Sequence, residues 1–251
     1  MTNFHDHFSG HAPDYAQFRP HYPQALFDWL FVRSRDHKLC WDVASGSGQA
    51  ALPLAAQFAQ VVATEASAAQ IAHAPPHPRV RYLCEPAENC SLPDACADLV
   101  TVAQALHWFD APRFFGEVLR VLNDDGLFAA WCYELMAVDP AVDAVVLDYY
   151  HNVIGPYWPP ERRLLERGYI DIAIPLQPLE PPQCAMTAQW SLAQFCGYMQ
   201  TWSATQRGAK VLGRDPMEPV VPQLAQAWGD PLCLRTVTWP LVVRAGRRPP
   251  R

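Results

Sequence analysis

The stretch Leu39–Glu65 restricts what this chain can fold into more than any other part of it. A short apolar run (Leu39, Cys40, Trp41) leads to an acid, Asp42, and then to a turn of small residues, Ala44-Ser45-Gly46-Ser47-Gly48. A helix-coloured segment, Gln49–Gln60, follows, and a β-branched run, Val61-Val62-Ala63-Thr64, ends on Glu65. Strand, glycine turn, helix, strand and closing acid describe a βαβ unit suited to a nucleoside. The two glycines let the backbone approach a ligand where a Cβ would collide. The helix N-terminus behind them offers unpaired N–H groups and the positive end of its dipole. Glu65 ends the second strand on the ligand side, where a carboxylate can accept hydrogen bonds from both hydroxyls of a ribose.

Two cofactors fit such a unit. Gly46-Ser47-Gly48-Gln49-Ala50-Ala51 matches G-x-G-x-x-A with an acid about 20 residues on, the dinucleotide fingerprint. The pattern Asp42-x-Ala44-x-Gly46-x-Gly48 instead resembles the first motif of class I S-adenosylmethionine-dependent methyltransferases, acid-x-Gly-x-Gly-x-Gly, with alanine in place of the first glycine. The glycine pattern alone does not choose between them.

Bulk properties narrow the classes. A chain of 251 residues, half hydrophobic and 18% charged, has the length and balance of one soluble α/β domain with additions. A net charge of −6 and the lack of a basic stripe with interleaved aromatics argue against a nucleic-acid partner. Arg244, Arg247, Arg248 and Arg251 read as a solvated tail. Eight cysteines without a C-x-x-C pair or metal-ligand spacing read as free thiols of a reducing cytoplasm. Met1–Gly10 is polar and His-rich, unlike a signal peptide, and no apolar run has membrane length. His5, His7 and His11 read as a solvated segment, so no metal is expected. Prolines crowd the second half (Pro156, Pro159, Pro160, Pro175, Pro178, Pro181, Pro182), which predicts short elements joined by stiff connectors.

Ahead of the first strand, Asp14–Phe18 allows a short helix that Pro20 stops. Aromatics and one arginine there suit either a lid over the cofactor or a cap on the sheet. The sequence F-S-x-x-A-x-x-Y-x-x-F-R-P-x-Y-P, Phe8 to Pro23, resembles the opening of small-molecule methyltransferases of the type 11 group. That resemblance implies a lid, with Tyr15 and Arg19 on the cofactor, Arg19 near its carboxylate, and Phe8 and Tyr22 towards the substrate. Pro23 starts a helix, Gln24–Ser34, with Leu26, Phe27, Leu30 and Phe31 at helical spacing. Ser67 is an N-cap for a helix to about His73, and Arg79–Cys84 alternates as a strand. The loop Glu85-Pro86-Ala87-Glu88-Asn89 then lies at a strand's carboxyl end, where an open parallel sheet binds its ligand. It resembles the family's third cofactor-contacting segment, with Pro86 where an acid often stands. The resemblance implies that the adenine amine bonds Glu88 or a backbone carbonyl; a polar connector with no ligand contact is the other reading.

Ala95–Ala103 reads as a fourth buried strand that runs into Gln104-Ala105-Leu106-His107-Trp108-Phe109-Asp110. D-L-V-x-x-x-x-A-L-H-W-F-D closely resembles the fourth motif of the same group, and the resemblance covers roughly residues 4–134. An amphipathic helix, Pro112–Leu122, a turn at Asp124-Asp125-Gly126 and a fifth strand, Leu127–Tyr133, follow. Beyond Glu134 the pattern predicts a helix over Asp139–Asn152, an aromatic–proline–basic knot from Gly155 to Arg163, a helix over Trp190–Gln206 and a last strand, Leu234–Val243. The knot also recurs in the group. Arg162, Arg163 and Arg167 could meet an acidic substrate or form a solvated helix face.

The fold expected is α/β: a doubly wound, seven-stranded, mostly parallel Rossmann-like sheet with an N-terminal lid and an α-rich cap insertion. The expected single domain divides into lid and first helix (1–36), cofactor core (37–134), cap (135–232), and last strand and tail (233–251). The resemblance implies methyl transfer from S-adenosyl-L-methionine to a small molecule (a carboxylate, phenol or heterocycle) by a monomer or homodimer without membrane or nucleic-acid partners. Cofactor residues so implied, besides Tyr15 and Arg19, are Ala44, Ser45, Gly46, Gly48, Glu65, Ala66, Pro86, Ala87, Glu88, Gln104 and Ala105. Substrate residues, besides Phe8 and Tyr22, are His107, Trp108, Trp131, Tyr157 and Trp158. His107 has an ordinary pKa suited to base work near neutrality, and either acts as general base or, with Trp108, only shapes the pocket. Two other functions remain open. A nicotinamide oxidoreductase would leave Asp42 and the fourth-strand end unused, and a non-catalytic S-adenosylmethionine-binding protein would use the same motifs.

Overall fold

The computed structural model describes residues 20–250. Phe8, Tyr15, Arg19, the proposed lid helix at 14–18 and the three early histidines lie outside the described residues. Helix α1 (Gln24–Arg33) precedes the sheet, and Pro23 caps it rather than opening its first turn. Strands β1 (Leu39–Val43), β2 (Gln60–Glu65), β3 (Val80–Cys84), β4 (Ala97–Ala103) and β5 (Leu122–Tyr133) follow. Between them lie α2 (Ala51–Leu54), α3 (Ala68–Ile71) and α4 (Ala111–Val121). The second half holds α5 (Pro140–Asp148), α6 (Arg162–Glu166), β6 (Gln177–Leu179), β7 (Ala185–Trp190), α7 (Leu192–Gln200), α8 (Ser203–Leu212), α9 (Val221–Trp228) and β8 (Arg235–Arg247).

The strands are ordered β3-β2-β1-β4-β5-β8-β6, with β7 paired to β8. Every pairing among β1 to β5 is parallel, and β8 runs antiparallel to β5, β6 and β7. The doubly wound, mostly parallel sheet is therefore as expected, with eight strands rather than seven. The cause is the length of β8. Its first half (Arg235–Pro240) pairs with β7, and its second half (Leu241–Arg247) pairs with β5, leaving room for β6 on the other side. Parallel strands covered on both faces read as continuous apolar runs, and β1 and β4 are buried almost end to end. Along β5, Leu127, Ala129 and Trp131 enter one core cluster while Phe128, Ala130 and Cys132 enter the other, the two-residue period of a strand. The order reverses at β1, between β2 and β4, so the crevice beyond their carboxyl ends is the topological switch point.

Several local expectations are corrected. The helix behind the glycine turn is regular only over α2, because Pro53 lacks an N–H for the ladder. Helical bonds persist on either side of that gap, from Leu52 N to Gly48 O and from Phe58 N to Leu54 O. The helix expected over Trp190–Gln206 is a strand end followed by two helices. Trp190 closes β7, and Ser191 caps α7 in a reciprocal capping box with Gln194. The helix after Asp139 is regular to Asp148 and then widens into a π turn over Tyr149–Val153. The region 135–232 also contributes β6 and β7, so it is not wholly helical.

Arg244, Arg247 and Arg248 are not a solvated tail, and Arg251 lies outside the described residues. Arg244 and Arg247 belong to β8, and Arg248 is only 8% exposed. Arg248 donates to the Leu122 carbonyl, and Arg247 donates to the carbonyls of Asp125 (2.6 Å) and Arg33 (2.7 Å). Asp125 has φ of 66°, and the β4–β5 register is irregular near it. Guanidinium donors thus pair carbonyls around an irregular stretch, as buried backbone oxygens require. Among the described residues no helix is long and apolar enough to cross a membrane.

Candidate functional site

Asp42, one residue before the end of β1, is fully buried. Its Oδ1 accepts from the Thr101 hydroxyl at 2.8 Å, and its Oδ2 has no partner among the described residues. Burial pushes this carboxyl up to about 7; the Thr101 bond opposes the rise and the charge of Glu65 adds to it. The turn that follows is left-handed at Ala44 (φ 51°), Gly46 (55°) and Gly48 (87°). Ala44 therefore carries a side chain where a glycine is easier. Relief of left-handed strain is worth roughly 1–2 kcal/mol, and the added freedom of the unfolded chain takes back about 0.4–1 kcal/mol. Ala44→Gly is accordingly expected to raise the melting temperature by roughly one to a few degrees. Calorimetry showing a lowered midpoint would mean that the alanine methyl packs productively. Gly48 has the opposite sensitivity, since a Cβ there would lie 2.3 Å from Tyr82 Oη. Gly48→Ala combines that clash with left-handed strain, and a loss of about 1–2 kcal/mol is expected in denaturant unfolding. Tyr82→Phe in the Gly48→Ala background should recover the part due to the hydroxyl.

Glu65, 8% exposed, closes β2 beside this turn. Its Oε2 accepts from the Gly46 N–H (3.0 Å) and its Oε1 from the Ser67 N–H (2.9 Å). One carboxylate therefore ties the glycine turn to the start of α3, and each oxygen keeps a lone pair for a ligand hydroxyl. The Ser45 hydroxyl is buried without a partner among the described residues, like Asp42 Oδ2. Two orphaned polar atoms beside a backbone bare of Cβ at 46 and 48 fit a polar, nucleoside-bearing ligand. Ala66 follows Glu65 and lends its carbonyl to the Cys84 thiol at 3.6 Å. In the loop after β3, Pro86 is exposed and Ala87 is buried. Glu88 accepts from the Asp110 N–H at 3.0 Å, which links this loop to the cap of α4.

Strand β4 delivers the second wall. Gln104 is left-handed (φ 57°) and bound to β5 twice, donating its N–H to the Trp131 carbonyl (2.8 Å) and accepting at Oε1 from the Tyr133 N–H (2.9 Å). Ala105 is buried and leads into the short turn Leu106–Trp108, so His107 stands at the strand's carboxyl end. His107 Nδ1 lies 3.2 Å from Tyr169 Oη, and its ring packs 4.6 Å from that of Trp108. Burial, with help from the Arg162 charge, holds His107 down to about 3. Tyr22 meets Trp131 edge-on at 5.4 Å. Arg162 lies 4.4 Å over the Trp158 ring and donates from Nε to Tyr150 Oη at 2.9 Å. The indole N–H groups of Trp131 and Trp158 are buried with no acceptor among the described residues. Tyr157 instead lies against Gly208 of α8.

The structure thus links Tyr22 to Trp131 and His107 to Trp108 by ring contacts, while Arg162 covers Trp158 and its charge reaches His107. Of the cap arginines, Arg162 faces the aromatic group, while Arg167 pairs with Asp171 at 2.6 Å. Tyr169 is the residue the sequence reading passed over. It is fully buried in left-handed conformation (φ 61°), with Arg244 donating to its carbonyl at 2.6 Å. Nothing in the local pattern around it signals a role, because its partners come from distant elements.

Comparisons with known proteins bear on the family. The methyltransferase-domain family of type 11 matches residues 41–130, the span from β1 to β5. A protein of Dictyostelium discoideum described as a methyltransferase is 32% identical over 90% of this chain and 88% of its own length. A Saccharomyces cerevisiae protein described as an S-adenosylmethionine-dependent methyltransferase is 24% identical over 75% of this chain and 77% of its own. Among solved structures, one described as a type II methyltransferase of Anaeromyxobacter dehalogenans superposes with a TM-score of 0.88 at 44% identity, covering 93% of this chain and all of that one. Sequence identity sustained across both the cofactor half and the cap half reflects common descent, and this chain belongs to the class I S-adenosylmethionine-dependent methyltransferases of the type 11 group.

Proposed function

We propose that the protein transfers the methyl group of S-adenosylmethionine to a small-molecule acceptor by in-line displacement. The observation that carries the reading is Glu65, a buried carboxylate bonded to the glycine turn and set at the switch point of the sheet. Its two oxygens suit the ribose hydroxyls. Ala44, Ser45, Gly46 and Gly48 offer close backbone approach, the Gln104 carbonyl and Ala105 suit the methionine end, and Ala66, Pro86, Ala87 and Glu88 border the adenine. S-adenosylmethionine supplies, when bound, a methyl group activated by a sulfonium. The chain's part is to hold the partners in line, exclude water and face the cation with aromatic rings. Tyr22, Trp108, Trp131 and Trp158 suit that last task, and residues 135–232 are assigned to the acceptor.

The nucleophile belongs to the substrate. A histidine held near 3 is a weak base at neutral pH, which favours acceptors that need no deprotonation over those that do. Calorimetry with S-adenosylhomocysteine and with NADH tests the cofactor, and labelled methyl transfer to a panel of carboxylic acids, phenols and heterocycles tests the reaction. Binding of the first ligand only, with transfer to at least one acceptor, is expected. Binding of NADH instead would restore the oxidoreductase, and cofactor binding without any transfer would favour a sensor.

A further inference from the structure

We propose that Tyr169 is a positioning residue: by donating its phenolic proton to His107 Nδ1 it fixes His107 as the Nε2–H tautomer, so that His107 offers the methyl acceptor a hydrogen-bond donor and not a base. The inference rests on the reading above only in taking this side of the crevice as the acceptor's.

His107 Nδ1 and Tyr169 Oη lie 3.2 Å apart, so one proton sits between them. Burial holds the Tyr169 hydroxyl well above its ordinary range, so the phenol keeps its proton and must place it on an acceptor. Among the described residues the acceptor in reach is His107 Nδ1, since the backbone N–H of Leu106, which also faces this oxygen, is a donor. With the proton on Nδ1 the phenol oxygen could accept it, but the buried phenolic O–H would then have no acceptor among the described residues. With the phenol as donor, Nδ1 accepts and the single proton of the neutral ring falls on Nε2.

The surroundings keep that ring neutral. Arg162, reaching in from α6, opposes a second proton, and the other titratable groups near the pair are Cys132 on β5 and Tyr22. Tyr169 itself is held rigidly, donating its N–H to Leu164 O (2.9 Å) and accepting from Arg244 at its own carbonyl. Several donors lie near it, Arg162 among them although its Nε is already bonded to Tyr150 Oη. The Arg162 guanidinium and the Trp131 and Trp158 indoles are all donors, the indoles without acceptors among the described residues. Donors of this kind fit an oxygen acid that arrives already ionised, one oxygen held by them while the other attacks.

Long-range proton–nitrogen spectra of the full chain labelled in its histidine rings test this directly, with His107 assigned by its loss in His107→Gln. The expected wild-type signal is an Nε2–H ring that does not titrate down to pH 5. Tyr169→Phe should mix the tautomers while S-adenosylhomocysteine affinity, a check on folding, stays within a few-fold of wild type. An Nδ1–H ring in the wild type, a ring titrating near its ordinary value, or spectra unchanged by Tyr169→Phe would overturn the proposal. With any acceptor found in the panel, His107→Gln, which keeps an N–H donor, should retain most of kcat, while His107→Ala raises KM; equal loss of kcat in both would restore the base. The spectra need neither cofactor nor acceptor. A failure of cofactor binding would therefore sink the proposed function and leave the tautomer standing, and a wrong tautomer would do the reverse.

Discussion

Glu65→Ala is expected to bind S-adenosylhomocysteine at least tenfold more weakly than the wild-type chain in calorimetry. Hydrogen bonds to a charged acceptor contribute about 1.5–3 kcal/mol, and tenfold in affinity corresponds to about 1.4 kcal/mol. Loss of one ribose contact would suffice, and the substitution removes more than that. The Gly46 and Ser67 N–H groups lose their shared acceptor as well, so the turn that should meet the ligand loses its tie to α3. Glu65→Gln separates the two effects. It keeps one carbonyl oxygen, but its amide nitrogen must face the other backbone N–H, so an intermediate loss is expected. Full affinity in the alanine variant would mean that the sugar is held elsewhere, and the cofactor placement would fall with it.

The second large effect concerns Asp42 and pH. Its carboxyl is raised from 3.8 to about 7 in the folded chain, chiefly by burial. Between those values the folded protein holds a proton that the unfolded chain has released, so stability falls as pH rises through the window. Below about 4 the group has no effect, and above about 7 its cost is complete. Three pKa units correspond to about 4 kcal/mol, an upper bound for a site that can relax. Asp42→Asn removes the titration. Denaturant unfolding of the two proteins from pH 4 to pH 8 should therefore show the wild type losing several kcal/mol relative to the variant. Parallel curves would show that Asp42 is already ionised at pH 5 in the folded state, and the unpartnered Oδ2 would then need a partner.

The cofactor half was legible because its signals are local. Asp42, the small-residue turn and Glu65 lie within one strand–turn–strand unit, and each residue's position in the fold follows from its distance along the chain to the turn. Ser67 capping α3 was equally plain, since a cap and its helix are neighbours in sequence. Where a local signal failed, a second local rule had won. Pro53, with no N–H to donate, shortened the expected helix to α2, and Ser191 opened a new helix where aromatic spacing alone suggested one that began at Trp190.

By itself, then, the sequence determined the order of strands and turns around the cofactor crevice, and with it the family. Which distant side chains meet His107 came only with the tertiary structure. His107 and Tyr169 are 62 residues apart, Arg244 reaches Tyr169 across 75, and Arg248 reaches Leu122 across 126. No periodicity or spacing encodes such pairings. They arise because burial leaves each donor and acceptor to find its partner wherever the packed elements bring one within reach.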